Sequence, residues 1–340
     1  MRKLSFVIPC YGSENTILFV LDEIRQTMES FADFEYEVVC VNDCSPDGVL
    51  EKLTEAAKTC GNLTVVDFAK NMGKHAAVMA GYSFVTGDLV VTMDDDGQCP
   101  IDKLALLIGE IDKGYDLAMA KYPERKQSAF KNFGSNVNAW MSQMLLNRPK
   151  DLQFSNFGVS RRFVVDEILR YRNPYPYLEG LTLRVTHRIA NVPMEERERY
   201  AGSGSYTFRK SLSLWLNGFT AFSVKPLRIA SVMGTAIACI GFVYGLVLII
   251  RRLIGIDVML GYSSTMAVLL FIGGVLMMMV GLVGEYIGRI YISINDSPQY
   301  VIRDVFFSGG SSKGAGSDGS KGSKGAKESK GSKDSEESQG

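Results

Sequence analysis

Three consecutive carboxylates, Asp94, Asp95 and Asp96, follow an apolar run in "DLVVTMDDDGQCP". In extended backbone, side chains two positions apart point the same way. Asp94 and Asp96 are therefore expected on one side, with Asp95 on the other, within reach of a ribose. Two hard oxygen ligands suit Mg2+ or Mn2+, ions that also take phosphate oxygens, and Gln98 adds one neutral oxygen. A solvated acidic turn is the plainer reading of the same triplet. Asp43, in "VNDCSPDG", either caps a turn or, at a strand end, accepts a hydrogen bond from a base.

Chemistry at these residues needs elements that bring them together. "LSFVIPCY", "YEVVCVND", "NLTVVDFA" and "DLVVTMDD" read as strands, separated by the helical patterns "SENTILFVLDEIRQTMESF", "GVLEKLTEAAKTC" and "GKHAAVMAGYSFV". Alternating β and α segments with continuous apolar runs in the strands predict an α/β fold with a mostly parallel sheet covered on both faces. Such sheets bind ligands at the carboxyl ends of their strands. Three strands here end in polar clusters, "PCYGSEN", "NDCSPDG" and "DDDGQ".

The 37 basic and 37 acidic residues balance, so no global field favours nucleic acid. Six cysteines form no CxxC pair and no metal spacing, which suits buried thiols in a reducing compartment. No signal peptide is expected, because the first apolar run is too short. Further on, 22 uncharged residues separate Arg228 from Arg251 and 27 separate Asp257 from Glu285. A hydrocarbon core of about 30 Å needs about 20 helical residues, so both runs span, at 229–250 and 258–287. The short link "RRLIGID" makes them antiparallel, and the Lys and Arg tally favours a cytoplasmic N-terminal domain. Gly241 with Gly245, and Gly284 with Gly288, give close-packing patterns that point to helix contact within the hairpin or to a homo-oligomer. Residues 206–228 mix basic, aromatic and aliphatic side chains like an interfacial helix. Residues 288–308 read as a cytoplasmic juxtamembrane segment, and 309–340 as a disordered low-complexity tail.

"VIPCYGSEN", "VNDCSPDG", "NMGKHAAVMAG", "TGDLVVTMDDDGQCP" and the spans ending "GLVGEYIGRIY" together resemble the polyprenyl-phosphate glycosyltransferases of glycosyltransferase family 2. These include bactoprenol glucosyltransferases, the undecaprenyl-phosphate aminoarabinose transferase group and dolichol-phosphate mannose synthases. The resemblance implies a GT-A nucleotide-sugar-binding domain over 1–205 followed by the two-helix transmembrane hairpin of a multi-pass cell-membrane enzyme. It implies inverting, Mg2+- or Mn2+-dependent transfer of a sugar from a nucleotide-sugar, a UDP-sugar favoured, to a polyprenyl phosphate such as undecaprenyl phosphate. The product is a lipid-linked sugar for the cell envelope. Pro9, Tyr11, Glu14 and Asp43 would line the base pocket, with Asp94 and Asp95 also on the nucleotide. Asp94, Asp96 and Gln98 would hold the metal. Lys121, Arg125, Lys131, Ser135 and Arg199 would meet phosphate, and Lys121, Lys131 and Arg199 would join Asp94 and Asp96 in catalysis.

Three positions differ from the family pattern. Gly97 stands where Leu is usual, followed by Cys99 after the Gln; Ser205 replaces a frequent Lys; and Asn156 replaces an Asp often proposed as base. A phosphate monoester has a second pKa of about 6, so its oxygen is already anionic at neutral pH and needs no base. Asn156 therefore fits a phosphate acceptor better than a hydroxyl one. Rival readings are a diacylglycerol-directed transferase, a polysaccharide synthase, or a non-catalytic membrane scaffold that binds nucleotide-sugars. His75 is expected to pack at a helix start rather than to catalyse. Arg161 and Arg162 either steer lipid phosphate or form a solvated pair.

Overall fold

The computed structural model describes residues 1–123, 149, 152–195, 197, 261–294, 298–308 and 312–314, with scattered positions from 234 to 254. Arg125, Lys131, Ser135, Arg199, Ser205 and the 206–228 segment lie outside the described residues.

The four strands read from sequence form the centre of the sheet: β1 (Arg2–Cys10), β2 (Phe34–Asn42), β3 (Leu63–Phe68) and β4 (Leu89–Thr92). They are mutually parallel in the order β3, β2, β1, β4. Beyond β4 lie β6 (Gly158–Arg161), β5 (Leu117–Lys121) and β7 (Ile189–Pro193), with β6 antiparallel to both of its neighbours. Beyond β3 lie β8 (Ile302–Phe307) and β9 (Ser312–Gly314), both antiparallel additions.

Alternation along the strands divides the core into two layers. Phe6, Ile8, Cys10, Val38 and Cys40 face α1 (Ile17–Glu29), α2 (Val49–Thr59) and α4 (Leu104–Asp112). Val7, Val39, Val41 and Val66 face α3 (Lys74–Tyr82), α5 (Arg162–Ile168) and α6 (Leu178–Val185). Each fully buried aliphatic or aromatic side chain stabilises by roughly 1.5–3 kcal/mol relative to exposure. On α3 the approach is so close that a Cβ at Gly81 would collide with Val7 and crowd Val41. Glycine there sets the distance between the helix and the sheet.

The second predicted span is a 33-residue helix, α7 (Tyr262–Ile294), running beyond the expected end at 287. Its window Phe271–Gly288 has mean hydropathy 1.7 and none of it is buried in the protein. Glu285 is the one charged residue in that window, and the described residues leave the window uncovered, which suits a hydrocarbon surrounding. It is the one helix among the described residues long and apolar enough to cross a membrane. Within the first predicted span, the described positions from 234 to 250 are helical.

The juxtamembrane segment holds more structure than its composition announced. Tyr300 stacks on Phe68 with centroids 5.6 Å apart, and Ala69 donates to the carbonyl of Val301 at 2.9 Å. Ile302–Phe307 then pairs along β3 from Phe68 to Thr64. The pairing continues into the tail, where Ser312–Gly314 adds the outermost strand.

Candidate active site

Parallel register places the ends of β1 and β2 side by side, with Cys10 opposite Asn42, and Val7 opposite Thr92 sets β4 beside them. The loops after β1, β2 and β4 therefore open at one edge, and the loop from β3 into α3 joins them there. All of the strand-end clusters meet.

Thr92 ends β4, so Asp94–Asp96 lie beyond the strand, entering a bend at Asp95, where strand alternation no longer governs. The three carboxylates take different partners. Asp94 Oδ1 lies 2.5 Å from Nζ of Lys74. Asp95 Oδ2 accepts the Tyr11 amide at 3.0 Å, and its carbonyl accepts the Thr16 hydroxyl at 2.7 Å. Burial pushes the Asp95 pKa up to about 6, with the Tyr11 amide opposing and the Asp94 charge adding. Asp96 Oδ1 accepts the Gln98 amide at 3.1 Å, closing the turn. Gly97, between them, has φ +75°, the left-handed region where a Cβ is strained. Its presence instead of Leu follows from that backbone. Cys99 is buried in the core beneath the turn, and burial pushes its thiol up to about 12, with the Asp94 charge adding. It is a packing residue.

Lys74 opens α3, whose first turn carries no acidic residue. An ammonium at a helix N-terminus opposes the dipole, so Asp94 supplies the opposite charge that this position lacks locally. Asp43 stands just before this helix. Its Oδ1 and Oδ2 accept the amides of Met72 at 2.6 Å and Gly73 at 2.8 Å, and its carbonyl accepts the Asn71 amide group at 3.2 Å. Burial raises the Asp43 pKa while the two amides oppose it. These are the contacts of a capping carboxylate.

Two loops are knitted through Glu14 and Asp47. Asp47 Oδ2 accepts the Glu14 amide at 2.8 Å, and Glu14 Oε2 accepts the Gly48 amide at 3.2 Å. Lys52 reaches the Glu14 carbonyl at 2.9 Å. Pro9 is buried on β1, whereas Tyr11 is exposed at the rim. Lys121 is exposed at the end of β5, its carbonyl taking the Met194 amide at 3.0 Å. Asn156 is exposed just before β6.

Gln98 ties this edge to the loop after β7. Its Nε2 donates to the Arg197 carbonyl at 3.1 Å, and its own carbonyl accepts the Arg197 amide at 3.2 Å. The Arg197 guanidinium binds Glu23 of α1 at 2.5 Å and Asp102 at 2.6 Å. Lys74 and Arg197 were not singled out by sequence. The signal for Lys74 was available as a helix-opening lysine with no local acid; Arg197 lay within an "ERER" run that carried none.

His75 is neutral at physiological pH, since burial pushes its pKa down to about 4 and the Lys74 charge adds. Its ring meets Tyr177 edge-on at 5.6 Å, in keeping with packing. Arg161 and Arg162 sit beside the start of β4, away from Asp94. Arg161 donates to the carbonyls of Ile111 and Tyr115, and Arg162 to that of Val85 and to Asp166. Neither is placed to steer a lipid phosphate to this edge.

Among the described residues no three His, Cys, Asp or Glu side chains gather as a metal centre. Asp94, Asp96 and Gln98 offer two carboxylates and an amide, a hard-oxygen set that fits a divalent ion retaining waters and taking phosphate oxygens.

The glycosyl transferase family 2 model matches residues 5–169, and the GtrB C-terminal hairpin model matches 225–290. The undecaprenyl-phosphate 4-deoxy-4-formamido-L-arabinose transferase of Klebsiella pneumoniae is 32% identical over 314 residues, covering 90% of this chain and 94% of that protein. The chain belongs to the polyprenyl-phosphate glycosyltransferases of family 2. An uncharacterized glycosyltransferase of Bacillus subtilis, YkcC, is 30% identical over 305 residues, covering 88% of this glycosyltransferase and 93% of YkcC. Among solved structures, glucosyl-3-phosphoglycerate synthase from Mycobacterium tuberculosis with Mn2+, UDP-glucose and phosphoglyceric acid aligns at TM-score 0.48 and 18% identity. That alignment covers 65% of this chain and 78% of that one. The edge bearing Asp94 and Asp96 is the candidate active site of a family 2 glycosyltransferase with a GtrB-type C-terminal hairpin.

Proposed function

We propose that this enzyme transfers a glycosyl group, with inversion, from a nucleotide-sugar to the phosphate of undecaprenyl phosphate or a related polyprenyl phosphate. The carrying observation is the convergence of Asp94, Lys74, Tyr11 and Asp96 at one sheet edge in a chain that continues into an apolar hairpin. The donor name favoured is a UDP-sugar, and the product is a lipid-linked sugar for the envelope.

In this reading the exposed Tyr11 ring gives the base a stacking face. Asp43 and Glu14 keep the rim in shape through the amides they accept. Asp95 holds the Tyr11 backbone against the Asp94–Asp96 turn. Asp94, Asp96 and Gln98 would hold Mg2+ or Mn2+, which when bound would offset the charge of the leaving diphosphate. Lys74 is close enough to Asp94 to supply a second positive charge there. The acceptor phosphate arrives as an anion, so this chain has to position it rather than deprotonate it. Lys121, exposed at a strand end on the same edge as Pro193, is suited to that anion. Arg125, Lys131, Ser135 and Arg199 are proposed to share the phosphate contacts.

The membrane arrangement is proposed as two spans with the catalytic domain in the cytoplasm. Its support is β8: a strand that follows the hairpin pairs with β3, which precedes it. Both ends of the hairpin must then be on one side of the bilayer, which requires an even number of crossings.

The test is incubation of the purified full chain with undecaprenyl phosphate, Mg2+ or Mn2+, and a panel of UDP- and GDP-sugars. A lipid-phosphate sugar should form with at least one donor and be lost in Asp96→Ala. No product with any donor, or undiminished product from Asp96→Ala, overturns the reading.

A further inference from the structure

The strand that follows the membrane hairpin is bonded, through buried polar groups, to the loops at the donor site. Arg303 of β8 lies with Nη1 3.5 Å from Oδ2 of Asp67, and its Nη2 donates to the Ala69 carbonyl at 3.1 Å. Asp67, buried on β3, accepts from Nδ2 of Asn42 at 2.7 Å through its other oxygen. Asn42, buried at the end of β2, accepts the Ser45 amide at 3.2 Å through Oδ1. The Ser45 hydroxyl accepts the Gly12 amide at 2.8 Å and donates to Asp47 at 2.5 Å. Asp47 in turn accepts the Glu14 amide at 2.8 Å. An unbroken series of polar contacts runs from β8 across β3 and β2 into both loops.

Two features show why that series needs its far end. Asp67 is a carboxylate in an apolar layer, facing Asp304 across the ladder and the charge of Glu51, and its nearby cation is Arg303. Burial already raises the Asp67 pKa against the Asn42 amide and the Arg303 charge, and without Arg303 the neutral amide alone opposes it. Cys44, between Asp43 and Ser45, holds φ at +51°, a left-handed backbone that non-glycine residues adopt only when their surroundings impose it. The Asn42–Ser45 bond closes that turn.

We propose that Arg303 is a positioning residue for the nucleotide: paired with Asp67, it fixes the Asn42–Ser45 turn, and through it the Gly12–Glu14 loop, in the donor-binding shape. The inference rests on the donor-site reading given above and extends it, making the strand beyond the hairpin part of the site's support.

The experiment measures UDP and GDP binding, with Mn2+, to the full chain in detergent by calorimetry, alongside thermal midpoints. Arg303→Met and Asp67→Asn should each weaken binding of the preferred nucleotide by about fivefold, the worth of roughly one hydrogen bond. The double variant should be no weaker than either single one, because both break the same link, and Arg303→Lys should recover part of the loss. Gln299→Ala removes a different contact of this segment, to the Asn173 carbonyl, and should leave nucleotide binding unchanged. Binding by Arg303→Met equal to that of the unmodified chain, or losses that add in the double variant, overturns the inference and leaves the donor site intact. Failure of the unmodified chain to bind either nucleotide overturns the donor-site reading and this inference with it.

Discussion

Replacing Lys74 by methionine isolates what balances the Asp94 charge. The ammonium lies 2.5 Å from Oδ1, with the two side chains 39% and 20% exposed. Ion pairs open to water contribute about 0.2–1 kcal/mol. Partial withdrawal from water places this pair toward the top of that range, and the α3 dipole, which acts on the ammonium whether or not the pair is made, does not enter the difference. A net value of about 0.5–1 kcal/mol follows. A divalent ion that takes Asp94 as a ligand competes with the lysine for Oδ1, so the variant should bind Mn2+ about two- to fivefold more tightly. The assay is calorimetric titration of Mn2+ into the nucleotide-free full chain, repeated in an Asp94→Asn background where the Lys74 effect should vanish. Unchanged or weaker Mn2+ binding by Lys74→Met would refute the competition between lysine and metal.

Three other outcomes are expected. Gly97→Ala forces an L side chain to φ +75° and should destabilise by roughly 1–2 kcal/mol, visible as a lower thermal midpoint. Glu37 has its pKa lowered: burial opposes ionisation, but donors from Lys3, Ser5 and Thr86 outweigh it. A carboxylate held low in the fold stabilises above its ordinary value of 4.5 and loses that contribution as pH falls below it; Glu37→Gln should lower the midpoint at neutral pH and flatten the acid limb. Buried Cys99, with its thiol pushed up to about 12, should resist maleimide in the native protein, while exposed Cys60 reacts. Peptide mapping by mass spectrometry separates the two.

The centre of the sheet was legible because β1 to β4 are buried on both faces, which writes continuous apolar runs into the sequence. The site edge was legible for a related reason, since a polar cluster after such a run marks a strand's carboxyl end. Asp43 was legible only as a pair of alternatives, and its two amide contacts with Met72 and Gly73 are those of the capping one. The direction of Asp94–Asp96 was not legible, because strand alternation ends at Thr92 and the turn is shaped by Gly97 and by partners far away in sequence. Lys74 and Arg197 belong to the same class: each finds its carboxylate through the fold, not through spacing. β8 was missed because Arg303 and Asp304 interrupt its apolar pattern, and the Arg303 charge has a reason that appears only once Asp67 lies beside it.

The position of β8 also sets an order of events during synthesis. The outer edge of β3 is completed by residues that leave the ribosome only after the whole hairpin has been made. Until then the domain presents an unpaired parallel-sheet edge, the kind of surface that invites association between chains. The sheet is therefore finished only after the matched C-terminal hairpin segment has been synthesised, and the β3 edge stays open until then.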